Sequence, residues 1–434
     1  MVEQGMRALP RRGGERAVLV GVVLPGEPET HGDPLDELGL LAKTAGVKET
    51  GRILQRRRRP DASTFLGSGK AKEVATFAQE AHAEVALFDV DLSPGQIRNL
   101  EKILGVRVVD RTELILDIFA LHARTHQAKL QVELAQAQYL LPRLRRMWTH
   151  LSREVGLGAQ AGVGMRGPGE KQIEIDRRIL RRKIDELRRE LQDIADRRKR
   201  MAESRSPYFT VSIVGYTNAG KSTLLRRLTG ADAFVADQLF ATLDTQTRAW
   251  TLPGRKQVFL SDTVGFLRHL PHHLVASFYA TLEEVRSADL ILHVVDGAHP
   301  DARLQVEAVE EVLRKIGAAD APRIVVLNKV DQAKDRLDLL VAGAGHPETV
   351  RVSALTGEGI DRLAQAVEQR ILEGQAEAEF KIPAGEGKLL AWLADKGTVL
   401  ARTYEDGMVS VRVRMTDADL ARAMRMAGEL RPQG

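Results

Sequence analysis

The 434-residue sequence predicts an α/β protein in which a central parallel-sheet domain is accompanied by smaller domains and a helical hairpin. Three observations support this class. Apolar runs of strand length alternate with helical patterns through two parts of the chain. A glycine-rich loop stands between an apolar run and a helical pattern, which is the context of a phosphate-binding loop. A segment between the two alternating parts has the heptad-like apolar spacing that is typical of paired helices.

A chain of this length can hold two to four domains, each with a core of its own. It contains no cysteine, so disulfide and thiolate chemistry are excluded and nothing points to an oxidising compartment. The early apolar run, residues 17–24, is too short to span a bilayer and lacks the cleavage pattern of a signal peptide. We therefore expect a cytoplasmic protein with no membrane span, and a monomer.

The first alternating part covers residues 17–125 and follows a loose leader, residues 1–16. The alternation indicates a small α/β domain with a largely parallel sheet. Its predicted elements are strands at 17–24, 85–90 and 106–109 and helices that begin at Asp33-Pro34 and Ser93-Pro94.

Two polar motifs in this domain each allow two interpretations. Gly67-Ser68-Gly69-Lys70 could bind phosphate, but a short motif of this kind is more typical of a tight turn before a helix. The run Arg56–Arg59 suits an anionic surface or a solvated strand edge equally well.

Long helices are predicted over residues 126–205. A glycine-rich break separates two apolar seams, so the simplest arrangement is an antiparallel hairpin in which each helix buries its seam on the other. Pro142 should kink the first helix or mark a restart. The seams are Leu130, Leu134, Ala137, Leu141, Leu144 and Trp148 in the first helix, and Leu180, Ile184, Leu187, Leu191 and Ile194 in the second.

The predicted hairpin is basic. It contains 19 Lys and Arg against 11 Asp and Glu, whereas the rest of the chain contains 45 against 48. A positive excess in one segment favours a nucleic acid partner, and a solvated helix with a basic bias is the alternative. The tip, residues 156–169, is longer than a turn between helices requires. Arg166 and Lys171 are therefore the candidate RNA-contacting residues.

The phosphate-loop motif occupies residues 215–223. Its glycines let successive backbone N–H groups face a phosphate chain. Lys221 is placed to reach the β- and γ-phosphates, and the Ser222 hydroxyl is placed to bind Mg²⁺. An ordinary helix-capping loop is the alternative for this motif alone. The residues are Gly215, Tyr216, Thr217, Asn218, Ala219, Gly220, Lys221, Ser222 and Thr223.

Three further motifs follow at the ends of predicted strands. Asp262 is placed to hold Mg²⁺ through water, and the Gly265 amide can sense a γ-phosphate. The Asp331 carboxylate can accept from both N1–H and the 2-amino group of guanine, a donor pair that adenine lacks. Together the four motifs predict a GTP-binding P-loop GTPase domain over residues 206–374. The three motifs are Asp262-Thr263-Val264-Gly265, Asn328-Lys329-Val330-Asp331 and Ser353-Ala354-Leu355, the last with a backbone that can approach the guanine O6.

The final segment, residues 375–434, is predicted to be a small α+β domain. Glu405-Asp406-Gly407 separates two apolar runs and is a strong hairpin signal. An amphipathic helix is predicted after it, from Met415 to Leu430.

These residues resemble the translation-factor-related GTPases, and the HflX family in particular, over nearly the whole chain. The resemblance implies that the hairpin and its loop reach the large ribosomal subunit and its RNA, towards the peptidyl-transferase region. It also implies a GTPase that splits or rescues ribosomes and is released by hydrolysis. The specific marks are Phe240-Ala241-Thr242-Leu243-Asp244, Asp262-Thr263-Val264-Gly265-Phe266 and Arg166-Gly167-Pro168-Gly169-Glu170.

The family motif places the threonine that closes on Mg²⁺ and the γ-phosphate at Thr242, and Thr245 is the second choice. With Lys221 and Gly265, Thr242 completes the set of candidate catalytic residues. Phe266 stands where a Ras-like protein has a water-orienting glutamine. A phenyl ring cannot hydrogen-bond water, so we expect slow hydrolysis of GTP to GDP unless a partner stimulates it.

Asn218 occupies the position of the asparagine in potassium-activated GTPases of this class. It is therefore a candidate K⁺ ligand, and bracing of the loop is the alternative. His269, His272 and His273 are more typical of a solvated segment than of a catalytic group, and His293 is expected in the core.

Two functional classes remain open. One is a ribosome-bound GTPase, and the other is a GTP-dependent signalling switch that acts on a protein effector without RNA. Phosphate-driven binding falls steeply with ionic strength whereas apolar docking does not, so salt dependence separates them.

Overall fold

The computed structural model describes residues 14–26, 31–144, 168–203, 209–230, 247–254, 257–263, 265–268, 279–332, 348–373, 375–405 and 407–429. The chain divides into two compact units. One comprises Met1–Trp250 with Gln257–Gly359, and the other comprises Thr251–Lys256 with Ile360–Gly434. Within the described ranges, every helix is too short or too polar to cross a bilayer.

The first unit begins with a four-stranded sheet in the order β2-β1-β3-β4. Each neighbouring pair is parallel, and helices connect the strands, as the alternating pattern predicts. The buried face of every helix packs onto this sheet. The elements are β1 Arg16–Val23, α1 Asp36–Thr44, β2 Lys48–Arg56, α2 Ser68–Glu80, β3 Val85–Phe88, α3 Pro94–Leu104, β4 Arg107–Val109 and α4 Arg111–His122.

Helix α3 begins where the sequence predicts it, in a capping box between Ser93 and Gln96. The predicted start of α1 is wrong, because Leu35 and not Asp33 precedes its first residue. The Asp33 carboxylate instead accepts the Leu35 N–H at 2.9 Å in the turn before the helix. Gly67 is the N-cap residue of α2, as the turn interpretation requires.

Strand β2 was not predicted. It lies at an edge of the sheet and is only partly buried, so its sequence lacks a continuous apolar run. Arg56 is its last residue, which agrees with the strand-edge interpretation of the arginine run.

The hairpin consists of α5 His126–Leu140, a 3₁₀ turn at Leu141–Arg143 and α6 Pro168–Glu203. The change from α to 3₁₀ geometry falls at Pro142, as expected of a proline inside a helical pattern. Trp148 and most of the predicted tip, with Arg166, lie outside the described residues. The buried seam joins Leu130, Leu134, Ala137 and Leu144 to Leu180, Ile184 and Leu187.

A six-stranded sheet in the order β10-β9-β8-β5-β7-β6 follows. The pairs from β10 to β7 are parallel, so their carboxyl ends meet at one edge of the sheet. His293 is buried within β8, as predicted. The elements are β5 Thr210–Gly215, α7 Lys221–Thr229, β6 Thr247–Thr251, β7 Gln257–Asp262, α8 Tyr279–Arg286, β8 Leu290–Asp296, α9 Ala302–Lys315, β9 Arg323–Asn328 and β10 Thr349–Arg351.

The second unit is built on an antiparallel sheet in the order β11-β13-β12. The turn at Gly407, which has φ of 76°, connects the predicted hairpin strands. The α/β class with a small α+β appendage is therefore confirmed. The elements are α10 Ile360–Glu373, β11 Gln375–Pro383, α11 Gly387–Lys396, β12 Thr398–Glu405, β13 Met408–Thr416 and α12 Asp417–Glu429.

Candidate guanine-nucleotide site

The phosphate loop turns tightly between β5 and α7, and both of its glycines are required by sterics. A Cβ on Gly215 would lie 2.2 Å from the Val294 carbonyl oxygen, and φ at Gly215 is 156°. A Cβ on Gly220 would lie 2.2 Å from the Asn328 side-chain nitrogen, and φ at Gly220 is 92°. Both positions therefore exclude any larger residue. The loop brings β8 and β9 close to its backbone.

Lys221 is the first residue of α7 and is buried. Its Nζ donates to the carbonyl oxygens of Gly215 at 3.0 Å and Tyr216 at 2.7 Å. Burial lowers the pKa of Lys221 to about 8, and the nearby Asp262 carboxylate opposes this shift. Lys221 is thus held beneath the loop, and its pKa is low enough for the ammonium group to lose its proton in mildly alkaline solution.

Ser222 and Asp262 meet at the same edge. The Ser222 hydroxyl donates to the Asp262 carboxylate at 3.2 Å, and Asp262 is buried at the end of β7. Thr263 fixes the following backbone by donating to the Ile213 carbonyl oxygen at 2.7 Å. The first two predicted motifs are therefore joined by direct contacts.

Gly265 lies against the phosphate loop. A Cβ there would be 2.7 Å from the Thr217 methyl carbon and 3.1 Å from the Lys221 Nζ. The backbones of the two segments also bond, since Thr217 donates to the Phe266 carbonyl at 2.8 Å. The Phe266 ring is buried in the apolar core. It therefore does not project into the loop as a polar catalytic side chain would.

Asn328, at the end of β9, connects two of the motifs. Its side-chain nitrogen donates to the Ala219 carbonyl at 2.8 Å, and its side-chain oxygen accepts the Ala354 N–H at 2.9 Å. Lys329 has φ of 63°, and its Nζ lies 2.7 Å from the Asp296 carboxylate. The Asn328 side chain thus sets the spacing between the phosphate loop and the loop that begins at Ser353.

Asp331 stands in the turn after β9. Its Oδ1 atom is buried and accepts no hydrogen bond from any residue that the structure describes. A buried carboxylate oxygen without a donor is costly, so the position favours a ligand with N–H groups.

Arg227 is a residue of this site that was not predicted. Its Nε donates to the Ala354 carbonyl at 3.2 Å, and a terminal nitrogen donates to the Leu355 carbonyl. Both carbonyls belong to the loop that begins at Ser353, so α7 holds that loop in place. No pattern in the sequence distinguishes Arg227 from the adjacent Arg226, because the contact spans more than 120 residues.

A cluster of charged residues from the N-terminal domain also reaches the loop. The Tyr216 hydroxyl donates to Glu37 at 2.6 Å and accepts the Arg268 N–H at 2.9 Å. Buried Arg111 pairs with Glu37 and Asp89 and donates to the Arg268 carbonyl at 3.1 Å. Burial and the adjacent Glu37 raise the pKa of the Tyr216 phenol, so it remains protonated.

Several predicted residues cannot be placed. The switch segment with Thr242 and Thr245, Val264 and the three clustered histidines lie outside the described residues. Lys171 lies in the first turn of α6. Asn218 is exposed in the phosphate loop with φ of 60°.

The remaining motif residues converge at one edge of the six-stranded sheet. This fold and this site define a P-loop GTPase.

Comparison with protein families gives four consecutive matches. Residues 32–120 and 122–205 match the N-terminal and middle regions of a GTP-binding GTPase. Residues 210–329 match a family described as 50S ribosome-binding GTPase. Residues 338–433 match the HflX C-terminal domain.

Two relatives are similar along most of their length. The GTPase HflX of Escherichia coli is 44% identical over 94% of this chain and 95% of its own. The GTPase HflX of Caldanaerobacter subterraneus is 41% identical over 93% of this chain and 91% of its own.

A solved structure of SsGBP with GDP is 26% identical to this chain. The match covers 82% of this chain and 98% of that chain, with a TM-score of 0.46. The chain belongs to the HflX family and is a GTP-hydrolysing enzyme.

Proposed function

We propose that the chain uses its GTPase cycle to time binding to the large ribosomal subunit. It would split or rescue ribosomes, and GTP hydrolysis would then drive its release. The observation that carries this proposal is a basic antiparallel hairpin in the same compact unit as the nucleotide site. The family description of residues 210–329 as a 50S ribosome-binding GTPase supports it. A ribosomal partner would place the chain in the cytoplasm.

The guanine base is proposed to bind between Asp331, Asn328 and the loop at Ala354. The buried Asp331 oxygen would accept from N1–H or the 2-amino group. The rigid spacing that Asn328 imposes would hold the Ala354 backbone near the guanine O6.

The residues at the phosphate end fit Mg²⁺. The Ser222 hydroxyl and the Asp262 carboxylate lie 3.2 Å apart and offer the oxygen donors that this ion prefers. We propose direct ligation by Ser222 and Thr242, and ligation by Asp262 through water. When bound, the ion neutralises negative charge on the transferred phosphoryl group.

Hydrolysis is proposed to depend on Lys221, Thr242 and the Gly265 amide. Lys221 would stabilise charge on the β- and γ-phosphates, and the Gly265 N–H would sense the γ-phosphate. Because Phe266 is buried in the core, it cannot orient the attacking water. We therefore expect the isolated protein to hydrolyse GTP slowly and the partner to stimulate hydrolysis. Asn218 remains a predicted K⁺ ligand, and its exposed position in the loop is compatible with that role.

The RNA-facing surface is proposed to lie on the hairpin, with Arg166 and Lys171 near its tip. Among the described side chains of α6, six arginines outside the seam are exposed, so they can neutralise RNA phosphates. They are Arg178, Arg181, Arg182, Arg188, Arg189 and Arg197.

Co-sedimentation with purified large subunits tests this proposal. With a non-hydrolysable GTP analogue we expect binding that weakens steeply between 50 and 200 mM salt, by about a thousandfold or more if six or more phosphates are contacted. Binding with GDP should be weaker. Co-sedimentation that is absent at low salt would reject the ribosomal partner and favour a protein effector.

A further inference from the structure

A cavity of about 400 Å³ lies in the first compact unit, between the N-terminal sheet and the GTPase domain. It opens at the carboxyl ends of β1 and β3, where Val23 and Asp89 lie on its wall. In the order β2-β1-β3-β4, the chain runs from β1 to β2 on one side and from β3 to β4 on the other, so the switch point of the sheet lies between β1 and β3. Ligands of open parallel sheets bind at such points. The volume is sufficient for a small molecule.

The wall of the cavity is acidic. Six carboxylates lie on it, whereas Arg111 and Arg268 are its only arginines among the described residues. Arg111 pairs with Glu37 and Asp89. A third arginine, Arg52, pairs with Asp33 and Asp36 from behind. The His31 ring lies 2.8 Å from the Asp301 carboxylate. The carboxylates therefore outnumber the arginines by two to one. They are Asp33, Asp36, Glu37, Asp89, Asp91 and Asp301.

The start of α1 argues against a phosphate ligand. A helix N-terminus at a switch point ordinarily favours an anion. Here the first turn carries Asp36 and Glu37, which satisfy the helix dipole and repel a second anion. The cavity thus lies where a nucleotide site would be expected, but its wall is negatively charged and would repel a phosphate.

Gln305, from α9, adds an independent observation. Its side chain lies on the cavity wall and is 9% exposed. Its Oε1 atom accepts no hydrogen bond from the described part of the chain. A buried amide oxygen requires a donor, so the wall calls for a ligand that carries N–H groups.

Apolar side chains occupy the remaining wall, among them Val22, Leu35, Leu40, Leu54 and Leu304. Methylene groups pack well against such a surface, whereas a metal ion or a sugar gains nothing from it. We propose that this cavity binds an aliphatic polyamine, with its ammonium groups on the carboxylates and Gln305 and its methylenes on the leucines.

The ligand would also contact the GTPase machinery. Tyr216 belongs to the phosphate loop, and Arg268 follows the segment that ends at Phe266; both line the cavity. Occupancy that shifts either residue would change guanine-nucleotide affinity, and the nucleotide would change polyamine affinity by the same factor.

The first test uses calorimetry on the full chain at fixed ionic strength, with 1,6-diaminohexane and spermidine as probes. The neutral 1,6-hexanediol, of matched length, is the control ligand. Saturable binding of one amine per chain and no binding of the diol are expected. Equal binding of the diol, several amines per chain, or a preference for ATP would each overturn the proposal.

A matched pair of variants locates the site. Leu40→Arg introduces a cation at the cavity wall on a side chain that is 46% exposed, so folding should be preserved. Leu121→Arg makes the same change on α4, at a leucine that is 52% exposed and does not line the cavity. Amine affinity should fall at least tenfold in Leu40→Arg and change less than twofold in Leu121→Arg.

Gln305→Leu should also weaken amine binding, because it removes the acceptor without altering charge. GDP binding and the melting temperature serve as checks that each variant is folded. If amine affinity is unaffected by both Leu40→Arg and Gln305→Leu in folded protein, the amine binds elsewhere and the proposal is wrong.

Discussion

The proposed base end and the proposed phosphate end of the nucleotide site are built differently. At the base end, Asn328 and Arg227 fix two loops by hydrogen bonds to the backbone, and these contacts need no change in charge. At the phosphate end, buried Lys221 donates to loop carbonyls, and burial lowers its pKa to about 8. In the proposed binding mode, recognition of guanine would therefore depend on a rigid frame, whereas recognition of phosphate would depend on a charge that its surroundings disfavour.

This difference predicts that changes at the two ends have separable effects. Changes at the phosphate end should alter affinity for the triphosphate and turnover. Changes at the base end should alter which base is bound, or how tightly, and leave the rate of the chemical step alone.

The largest effect is expected from Lys221→Ala. The substitution removes the cation that is proposed to face the β- and γ-phosphates, so kcat/KM for GTP should fall about 100- to 1000-fold. Steady-state GTP turnover measures it, with Lys315→Ala at the end of α9 as the control. A loss below tenfold in folded protein would show that Lys221 does not act on the phosphates.

Asp331→Asn should produce the next largest effect. Loss of charge-assisted hydrogen bonds should weaken GTP binding about 10- to 100-fold. The new amide can donate to the 2-oxo group of xanthine, so affinity for XTP should rise. Competition binding with both nucleotides checks this, and the exposed Asp320→Asn is the control. Unchanged preference for GTP would place the base elsewhere.

The pH dependence of GTP affinity sharpens the comparison. Without a bound nucleotide, Lys221 has a pKa of about 8. Bound phosphates must raise this pKa, because they stabilise the ammonium form. GTP affinity should therefore be level below about pH 8 and fall by up to about tenfold per pH unit above it. Guanosine carries the same base without phosphates, so its affinity should lack this lysine-dependent fall. Parallel profiles for GTP and guanosine between pH 7 and 9 would contradict it.

The smallest effect is expected from Arg227→Ala. The loop at Ala354 loses its two bonds to α7, so GTP and GDP should both bind about fivefold more weakly, for a cost of about 1 kcal/mol. kcat should be unchanged, because the phosphate end is untouched. Arg226→Ala provides a control on the same helix. An equal loss in both variants would mean that α7 is destabilised generally.

The same division explains what the sequence could predict. The phosphate-loop motif is local: β5, the loop and α7 follow one another within residues 210–229, so the pattern specifies the geometry. Arg227 and Tyr216 depend on contacts across 127 and 179 positions, respectively. Their roles arise from tertiary packing, which single-sequence patterns do not contain.

Three strands were not predicted, β2, β6 and β11, and the reason is different. Strand β6 lies at the edge of the six-stranded sheet, where a short apolar pattern is sufficient. Strand β11 alternates polar residues with Ala376, Ala378, Phe380 and Ile382, and this period of two was the available signal. Alanine and glutamate favour helices intrinsically, so the composition of the segment obscures the alternation. Strand β2 lies at an exposed sheet edge, where little burial is required.

GTP turnover with purified large ribosomal subunits tests the proposed function most directly. Subunits should raise kcat without changing discrimination between GTP and XTP, because stimulation acts at the phosphate end. The double variant Arg181→Glu/Arg182→Glu on exposed positions of α6 should lose this stimulation and keep basal turnover, whereas Arg303→Glu on α9 should retain both. Turnover that large subunits leave unchanged, at low and at physiological salt, would contradict a ribosomal partner for this GTPase.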